Sequence, residues 1–141
     1  GAEGVLSGQY LDLLAENKKF KLTLNNFKEI QKKKTSLLIA FCTLTGAIIG
    51  NATKKEQKDM FDIGLLIGSL FQIQDDILDQ EGNEEEMGKK VRKDKDLNKA
   101  TIIRLKDINY AKKEVIKVGS KIKKNIQFNL ISVNGGQSFF V

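Results

Sequence analysis

The chain has 141 residues, enough for one domain or for part of a larger one. Hydrophobic residues make up 40% and charged residues 30% of the sequence, which excludes an intrinsically disordered composition and favours a globular protein. The formal net charge is +6, histidine is absent and Cys42 is the single cysteine, so the composition excludes an internal disulfide, argues against zinc and leaves oxygen atoms as the main ligands for any metal.

The first predicted elements are two helices separated by a polar connector. The sequence lacks proline, so no proline break interrupts a helix. Apolar residues at mixed spacings of three and four predict a helix over 2–16. A second helix is predicted to begin at a cap supplied by Thr23 or Asn25 and to continue through the apolar run 36–49. We expect a possible break in it near Lys34–Thr35.

The third predicted helix is the central one. Gly50–Asn51 should end the preceding helix, and Thr53 with Glu56 forms the capping-box pattern that begins the next. Its body is predicted to extend over 54–80, with Gly82 as the stop. Because its middle is apolar on nearly every face, we expect other helices to surround it.

The last part of the sequence is charged and contains two further predicted helices. A charged loop with glycines is predicted over 81–98, and a short helix over 99–106. Asn109 is the predicted cap of a last helix, whose apolar stripe extends from Ala111 to Ile126. Together these elements predict an all-α fold.

Two apolar stretches raise the question of a membrane. Stretches 36–50 and 63–71 are both shorter than the roughly 20 residues that span a bilayer, so we interpret them as buried core helices. The sequence shows no secretory signal or transit peptide, and the lone cysteine indicates a reducing compartment, so we expect a cytoplasmic protein. Because the sequence opens on GAEGVLSGQ without methionine, we interpret it as an internal part of a longer protein.

The stretch FQIQDDILDQ (71–80) places three carboxylates, those of Asp75, Asp76 and Asp79, at the end of the apolar helix. On a helix Asp75 and Asp79 share a face, and like charges at that spacing cost a few tenths of a kcal/mol. The nearby helix C-terminus also disfavours each anion by roughly 0.3–1 kcal/mol. A hard divalent cation such as Mg²⁺, which keeps several waters and takes its other oxygens from a phosphate, would reverse both effects, so we predict a metal and a phosphate group here. The alternative is a solvated acidic helix end.

Three lysines are candidates to bind that phosphate. Lys34, Lys89 and Lys99 each lie next to a small or hydroxyl-bearing residue, and lysines act as point charges for phosphate. Lys99 also falls at a predicted helix start, where free backbone N–H groups favour anions. Since the chain has 24 Lys and Arg residues, the alternative for each lysine is a solvated surface position.

Five motifs occur in a fixed order along the chain. They are GQYLDLLAE (8–16), KKTSLL (33–38), GSLFQIQDDILD (68–79), GKKVRKD (88–94) and LNKAT (97–101). This order resembles the trans-type polyprenyl diphosphate synthases, the relatives of farnesyl and geranylgeranyl diphosphate synthase, and FQIQDDILD is similar to their second aspartate-rich motif. The resemblance covers residues 8–101 well and the 108–126 helix loosely.

The resemblance implies a fold and a reaction. The fold would be an antiparallel all-α bundle around a central cavity, usually a homodimer and here a partial bundle. The reaction would be the Mg²⁺-dependent condensation of an allylic diphosphate with isopentenyl diphosphate, by ionisation, condensation and elimination. Neither nucleic acid nor a membrane span is expected.

The resemblance also implies roles for individual residues. Asp75, Asp76 and Asp79 would hold the metal. Lys34, Lys89 and Lys99 would contact the allylic diphosphate. Lys34 would also act in catalysis with Thr35 and Gln72, which would line the reacting carbon, and Gln9 and Asp12 would support the wall of the metal site.

Some of these residues also have a purely structural interpretation. Gln72 could instead satisfy buried backbone groups, and Thr35 could be a hydroxyl at a helix kink. Gly64 and Gly68, four positions apart, are interpreted as allowing close helix packing rather than as ligand contacts.

The chain differs from that family in its extent. Members are about twice as long, and their first aspartate-rich motif and isopentenyl diphosphate site precede GQxxD. We therefore interpret residues 1–126 as the C-terminal half of a synthase domain, inactive alone, and 127–141 as an atypical, frayed tail. Two alternatives stay open: a non-catalytic partner subunit of a heteromeric synthase, and a basic helical module for nucleic acid or anionic membranes, which the net charge of +6 favours.

Overall fold

The computed structural model describes residues 2–17, 21–86 and 101–133. Every regular element within these ranges is helical, which confirms the all-α fold class. In chain order the elements are a π-helical first turn Ala2–Leu6, α1 Ser7–Ala15, α2 Leu24–Gln31, a π-helical segment Lys32–Ser36 (the π-segment), α3 Leu37–Ile49, α4 Lys54–Glu86, α5 Ile102–Leu105 and α6 Ile108–Val133. None of these helices is apolar over a stretch long enough to cross a membrane.

The second predicted helix is confirmed, with its start at Thr23. The Thr23 side chain accepts a hydrogen bond from the Asn26 backbone N–H at 3.2 Å, and Asn26 Oδ1 accepts one from the Thr23 N–H at 3.3 Å. This reciprocal arrangement satisfies two N–H groups that lack helical partners. Near Lys34–Thr35 the helix does not break; it widens into the π-segment and continues as α3.

The junction before α4 follows the predicted signals. Asn51 adopts a left-handed conformation with φ of 55° and ends α3, as expected for Gly50–Asn51. The Thr53 N–H donates to Glu56 Oε2 at 2.7 Å, and the Glu56 N–H donates to Thr53 Oγ1 at 3.3 Å. The Thr53 hydroxyl, which also donates to Glu56 Oε2 at 2.7 Å, and then the Thr53 N–H lower the pKa of the Glu56 carboxyl. The predicted capping box at the start of α4 is therefore confirmed.

Two predicted helix ends are wrong. Helix α4 does not stop at Gly82 but continues to Glu86, because a glycine inside a helix costs only about 1 kcal/mol and Glu81 holds this turn to α6 through Lys112, at 2.8 Å. Asn109 does not cap α6. The carboxylate of Asp107 accepts from the backbone N–H of Tyr110 at 2.8 Å, so the last helix begins earlier, at Ile108.

Helix α4 is the centre of the bundle and contacts α2, the π-segment, α3, α5 and α6. The main core joins it to α2, α5 and α6, through Phe27, Ile73, Ile77, Ile102 and Ala111. One face of α4 stays open, however, because Phe71 is 57% exposed. The central position predicted for this helix is thus confirmed, but other helices do not surround it completely within the described residues.

The last helix extends into the segment interpreted as a tail. Helix α6 buries Ala111 and Val118, while Ile126 is exposed. The helix ends at Val133, so the first residues of 127–141 are helical and the remainder lies outside the described residues. The boundary at residue 126 stays a prediction.

Candidate functional site

The predicted lysine and aspartate motifs meet where α1, the π-segment and α4 come together. Lys34 Nζ lies 2.6 Å from Asp12 Oδ2, an ion pair between residues 22 positions apart in sequence. Lys34 is also close enough to α4 for its charge to lower the pKa of the Asp76 carboxyl. The ion pair and this electrostatic contact bring together three of the predicted site residues.

The π-segment is held between two glycines. A Cβ atom on Gly8 of α1 would lie 2.3 Å from the backbone nitrogen of Lys34, and one on Gly68 of α4 would lie 2.4 Å from Cα of Ser36. Real Cβ contacts are essentially never this short, so only glycine allows both helices to approach. These two close contacts fix the backbone that carries Lys34. π-Helical turns frequently lie at functional sites.

The close packing predicted for Gly64 and Gly68 is confirmed. A Cβ on Gly64 would lie 2.5 Å from Cα of Ala40 on α3. Sequence reasoning missed Gly8, although it is the first residue of the same GQYLD motif that supplied Gln9 and Asp12. The segment that Gly8 packs against, the π-segment, is distant from it in sequence, so this contact could not be inferred from local spacing.

The three aspartates do not point the same way. Asp75 and Asp79, one helical turn apart on α4, are exposed, whereas Asp76 is half-buried. Asp76 Oδ2 accepts a hydrogen bond from the backbone N–H of Ile102, the first residue of α5, at 3.0 Å. One carboxylate of the predicted metal network is therefore already bound to backbone.

The pKa of Asp76 records its surroundings. Burial, and to a smaller extent the negative charges of Asp75 and Asp79, raise the pKa of this carboxyl to about 6. The hydrogen bond from Ile102 and the charge of Lys34 oppose the rise. The end of α4 is thus a place where negative charge is crowded and a cation would be stabilised.

Magnesium fits two of these carboxylates. In the described part of the chain no three Asp, Glu, His or Cys side chains are close enough to form a ready metal cluster. Mg²⁺, however, commonly takes one or two protein carboxylates and completes its octahedron with waters and phosphate oxygens. The exposed pair of Asp75 and Asp79, on one face of α4, provides that donor set.

The other predicted site residues are less well defined. Thr35 and Gln72 are half-buried on the π-segment and α4, and Gln9 is exposed on α1. Lys89 and Lys99 lie outside the described residues. Helix α5 begins at Ile102, three residues after Lys99, and at its cap Thr101 Oγ1 accepts from the Arg104 N–H at 3.1 Å. The roles of these residues stay predictions.

A cavity of about 560 Å³ lies between α2, α4 and α6. Its described wall includes Ile73 and Ile102 but none of the three aspartates or Lys34. It also includes Gln31, whose buried Oε1 has no hydrogen-bond partner among the described residues. This cavity lies on a different face of α4 from Asp75.

Comparison with known proteins extends these findings. A family model described as polyprenyl synthetase matches residues 2–129. Farnesyl diphosphate synthase of Bacillus subtilis is 39% identical over 112 residues, which cover 79% of this chain but 37% of that protein.

Solved structures give the same result for the fold. An FPP/GFPP synthase from Zymomonas mobilis superposes with a TM-score of 0.75 at 27% identity, over 91% of this chain and 41% of that one. A geranyltransferase from Helicobacter pylori, complexed with magnesium and isoprenyl diphosphate, superposes with a TM-score of 0.72 at 26% identity, over 90% and 42%. The chain therefore spans about two-fifths of the length of the proteins it matches.

Proposed function

Because the chain belongs to the polyprenyl synthetase family, we propose that it supplies the second aspartate-rich half of a trans-type prenyltransferase. The substrates would be an allylic diphosphate and isopentenyl diphosphate, and the metal Mg²⁺. The activity is proposed for an assembly in which a complementing segment or subunit provides the remaining length that the relatives have. A homodimer of such units is the form we expect.

The observation that carries the proposal is the meeting of opposite charges beside exposed apolar surface. Asp75 lies between Phe71 and Leu78 at helical spacing on one face of α4, and these two side chains are 57% and 60% exposed. Lys34, which forms the ion pair with Asp12, is close enough to α4 to lower the pKa of the adjacent Asp76. An amphiphilic diphosphate needs this combination of metal ligands, a cation and an apolar surface for its hydrocarbon chain.

The acidic and basic residues of this chain would have different roles. Asp75 and Asp79 would hold Mg²⁺, which when bound neutralises charge on a departing diphosphate and contributes several kcal/mol of transition-state stabilisation. Lys34 would add a positive charge to the same oxygens, and Lys89 and Lys99 are proposed to do so as well.

The remaining predicted residues would shape the site around the reacting carbon. Thr35 and Gln72, one on the π-segment and one on α4, would line the carbon that develops positive charge. Asp12 would orient Lys34 through the 2.6 Å ion pair, and Gln9 would complete the same wall. Exclusion of water by the apolar residues would protect that positive charge from hydrolysis.

Calorimetric titration of the purified chain with pyrophosphate, with and without Mg²⁺, tests the proposal. We expect binding that requires Mg²⁺ and a loss of well over tenfold in affinity for Asp75→Ala. Asp62→Ala is the matched control, since it removes an exposed carboxylate from another face of α4 and should bind normally. Binding that ignores Mg²⁺, or an Asp75→Ala variant with wild-type affinity, would overturn the assignment.

A condensation assay tests the whole reaction. The chain is mixed with a synthase segment that carries the first aspartate-rich motif, and product is measured from an allylic diphosphate and isopentenyl diphosphate. Turnover that disappears with Asp75→Ala supports a catalytic half. Turnover that survives the substitution would instead identify a non-catalytic partner subunit.

A further inference from the structure

We propose that Asp76 is a positioning residue that fastens the aspartate-bearing turn of α4 to the start of α5, and that of the three aspartates on this turn Asp75 and Asp79 contact the metal whereas Asp76 does not. The inference rests on the proposed function for its metal, and on the geometry of the described residues for its tether. It removes one carboxylate from the ligand set that the motif predicted.

The first argument is the hydrogen bond itself. Ile102 begins α5, and the backbone N–H groups of a first helical turn have no partner inside their own helix. Thr101 Oγ1 satisfies the N–H of Arg104, and Asp76 Oδ2 satisfies the N–H of Ile102 at 3.0 Å. Without Asp76, a part-buried backbone donor would lose its partner, which is costly in a low-dielectric environment.

The second argument is the direction of the side chain. Successive residues on a helix are rotated by about 100°. Asp75 and Asp79 therefore share one exposed face, while Asp76 lies beside Ile73 and Ile77. Both isoleucines belong to the same buried cluster as Ile102. The Asp76 carboxylate thus lies at the edge of the core, against α5, rather than on the open face.

The third argument concerns what the tether does for its neighbours. Asp75 and Asp79 repel each other across one turn, and nothing in that repulsion fixes the orientation of the turn. The Asp76 bond links the turn between them to Ile102, which is 4% exposed. A ligand pair on a turn fixed in this way is better pre-organised for a metal, as hydrogen-bonded outer partners are in other metal sites.

Two substitutions at one position separate the tether from a ligand role. Asp76→Asn keeps an oxygen that can accept the Ile102 N–H but loses the charge a metal ligand needs, whereas Asp76→Ala loses both. Amide hydrogen exchange of Ile102, followed by NMR, reports the tether. Calorimetry of Mg²⁺-dependent pyrophosphate binding reports the site, with Asp75→Asn as the ligand comparison.

We expect the Ile102 amide to stay protected in Asp76→Asn and to exchange at least about tenfold faster in Asp76→Ala. Affinity should fall by less than about threefold in Asp76→Asn, about tenfold in Asp76→Ala and well over tenfold in Asp75→Asn. An Asp76→Asn variant that loses as much affinity as Asp75→Asn would make Asp76 a ligand and overturn the inference.

Unchanged exchange of Ile102 in Asp76→Ala would also overturn it, because the tether would then not exist. Failure of the proposed function has a different signature. A wild-type chain that shows no Mg²⁺-dependent binding of pyrophosphate contradicts the function, while the exchange measurement still decides whether Asp76 holds α5.

Discussion

The two halves of α4 are packed in different ways. The first half, 54–68, approaches its neighbours through glycines, with Gly64 against Ala40 of α3 and Gly68 against Ser36 of the π-segment. The second half, 69–86, packs through large side chains, such as Ile77 against α2, α5 and α6. The first half therefore positions backbone against backbone, and the second half fills a side-chain core.

The two halves of α4 also differ in the charges that they carry. The second half also carries Asp75, Asp76 and Asp79, and their mutual repulsion, together with the burial of Asp76, opposes folding. Its core must offset that cost, while the glycine contacts of the first half hold the π-segment and Lys34 in place. The comparison shows that an electrostatically unfavourable turn can be placed on a helix whose other half is positioned by close backbone packing.

Removal of Phe27 should give the largest loss of stability, because it opens the core of the second half. Phe27 is 3% exposed and contacts the cluster of Ile73 and Ile77. Phe27→Ala should lower the free energy of unfolding by about 3–5 kcal/mol, measured by urea denaturation. The matched control is Phe71→Ala, which removes an exposed phenylalanine and should change stability by less than about 0.5 kcal/mol. Equal losses would mean that the core is not where the structure places it.

A methyl group on Gly68 should give the next largest loss of stability, because it disrupts the close backbone packing of the first half. The new Cβ would lie 2.4 Å from Cα of Ser36, so backbone would have to move. Gly68→Ala should lower the free energy of unfolding by about 3 kcal/mol. Gly46→Ala on α3, where no atom lies within 4 Å of the new Cβ, should instead raise it by about 0.5–1 kcal/mol. An unchanged free energy of unfolding in Gly68→Ala would mean that the first half does not depend on close backbone packing.

The pH dependence of stability tests the charged turn of the second half. The pKa of the Asp76 carboxyl is about 6 in the folded chain and 3.8 in the unfolded chain, so the folded state binds this proton more tightly. Protonation of Asp76 therefore stabilises the folded state relative to the ionised form; this stabilisation is fully present below pH 4 and is lost as the pH rises through 6. With allowance for solvent screening, we expect a loss of about 1–2 kcal/mol over this window.

Comparison with Asp76→Asn isolates that effect. The variant keeps an acceptor for Ile102 but does not titrate, and all other carboxylates are unchanged in it. Urea denaturation of both proteins from pH 4 to 7, without divalent metal, should give curves that diverge with increasing pH in favour of the variant. Parallel curves would show that Asp76 is not electrostatically strained.

Local signals in the sequence predicted much of the fold. The caps at Thr23 and Thr53 and the left-handed Asn51 depend on neighbours within a few positions, so the sequence contains all the information needed. The end of α4 was mispredicted at Gly82 because one glycine costs a helix only about 1 kcal/mol. The contact of Glu81 with Lys112 beside it also joins residues far apart in sequence.

The site was predictable in its residues but not in its pairings. The motifs identified Asp12, Lys34 and Asp76, yet the ion pair of Asp12 with Lys34 spans 22 positions and the bond of Asp76 with Ile102 spans 26. Such pairings depend on how helices pack, which no local pattern encodes. The close packing of the π-segment likewise depends on glycines on two other helices.

The smallest expected effect is a gain in stability at Gly82, near the end of the second half of α4. No atom lies within 4 Å of a Cβ placed there, in contrast to Gly64, where Ala40 lies at 2.5 Å. Gly82→Ala should raise the free energy of unfolding by about 1 kcal/mol, since alanine loses less backbone entropy in a helix. Thermal denaturation measures the change, with Gly64→Ala as the destabilised counterpart. A loss at Gly82 would mean that the helix ends there after all, and that close packing is not confined to the first half.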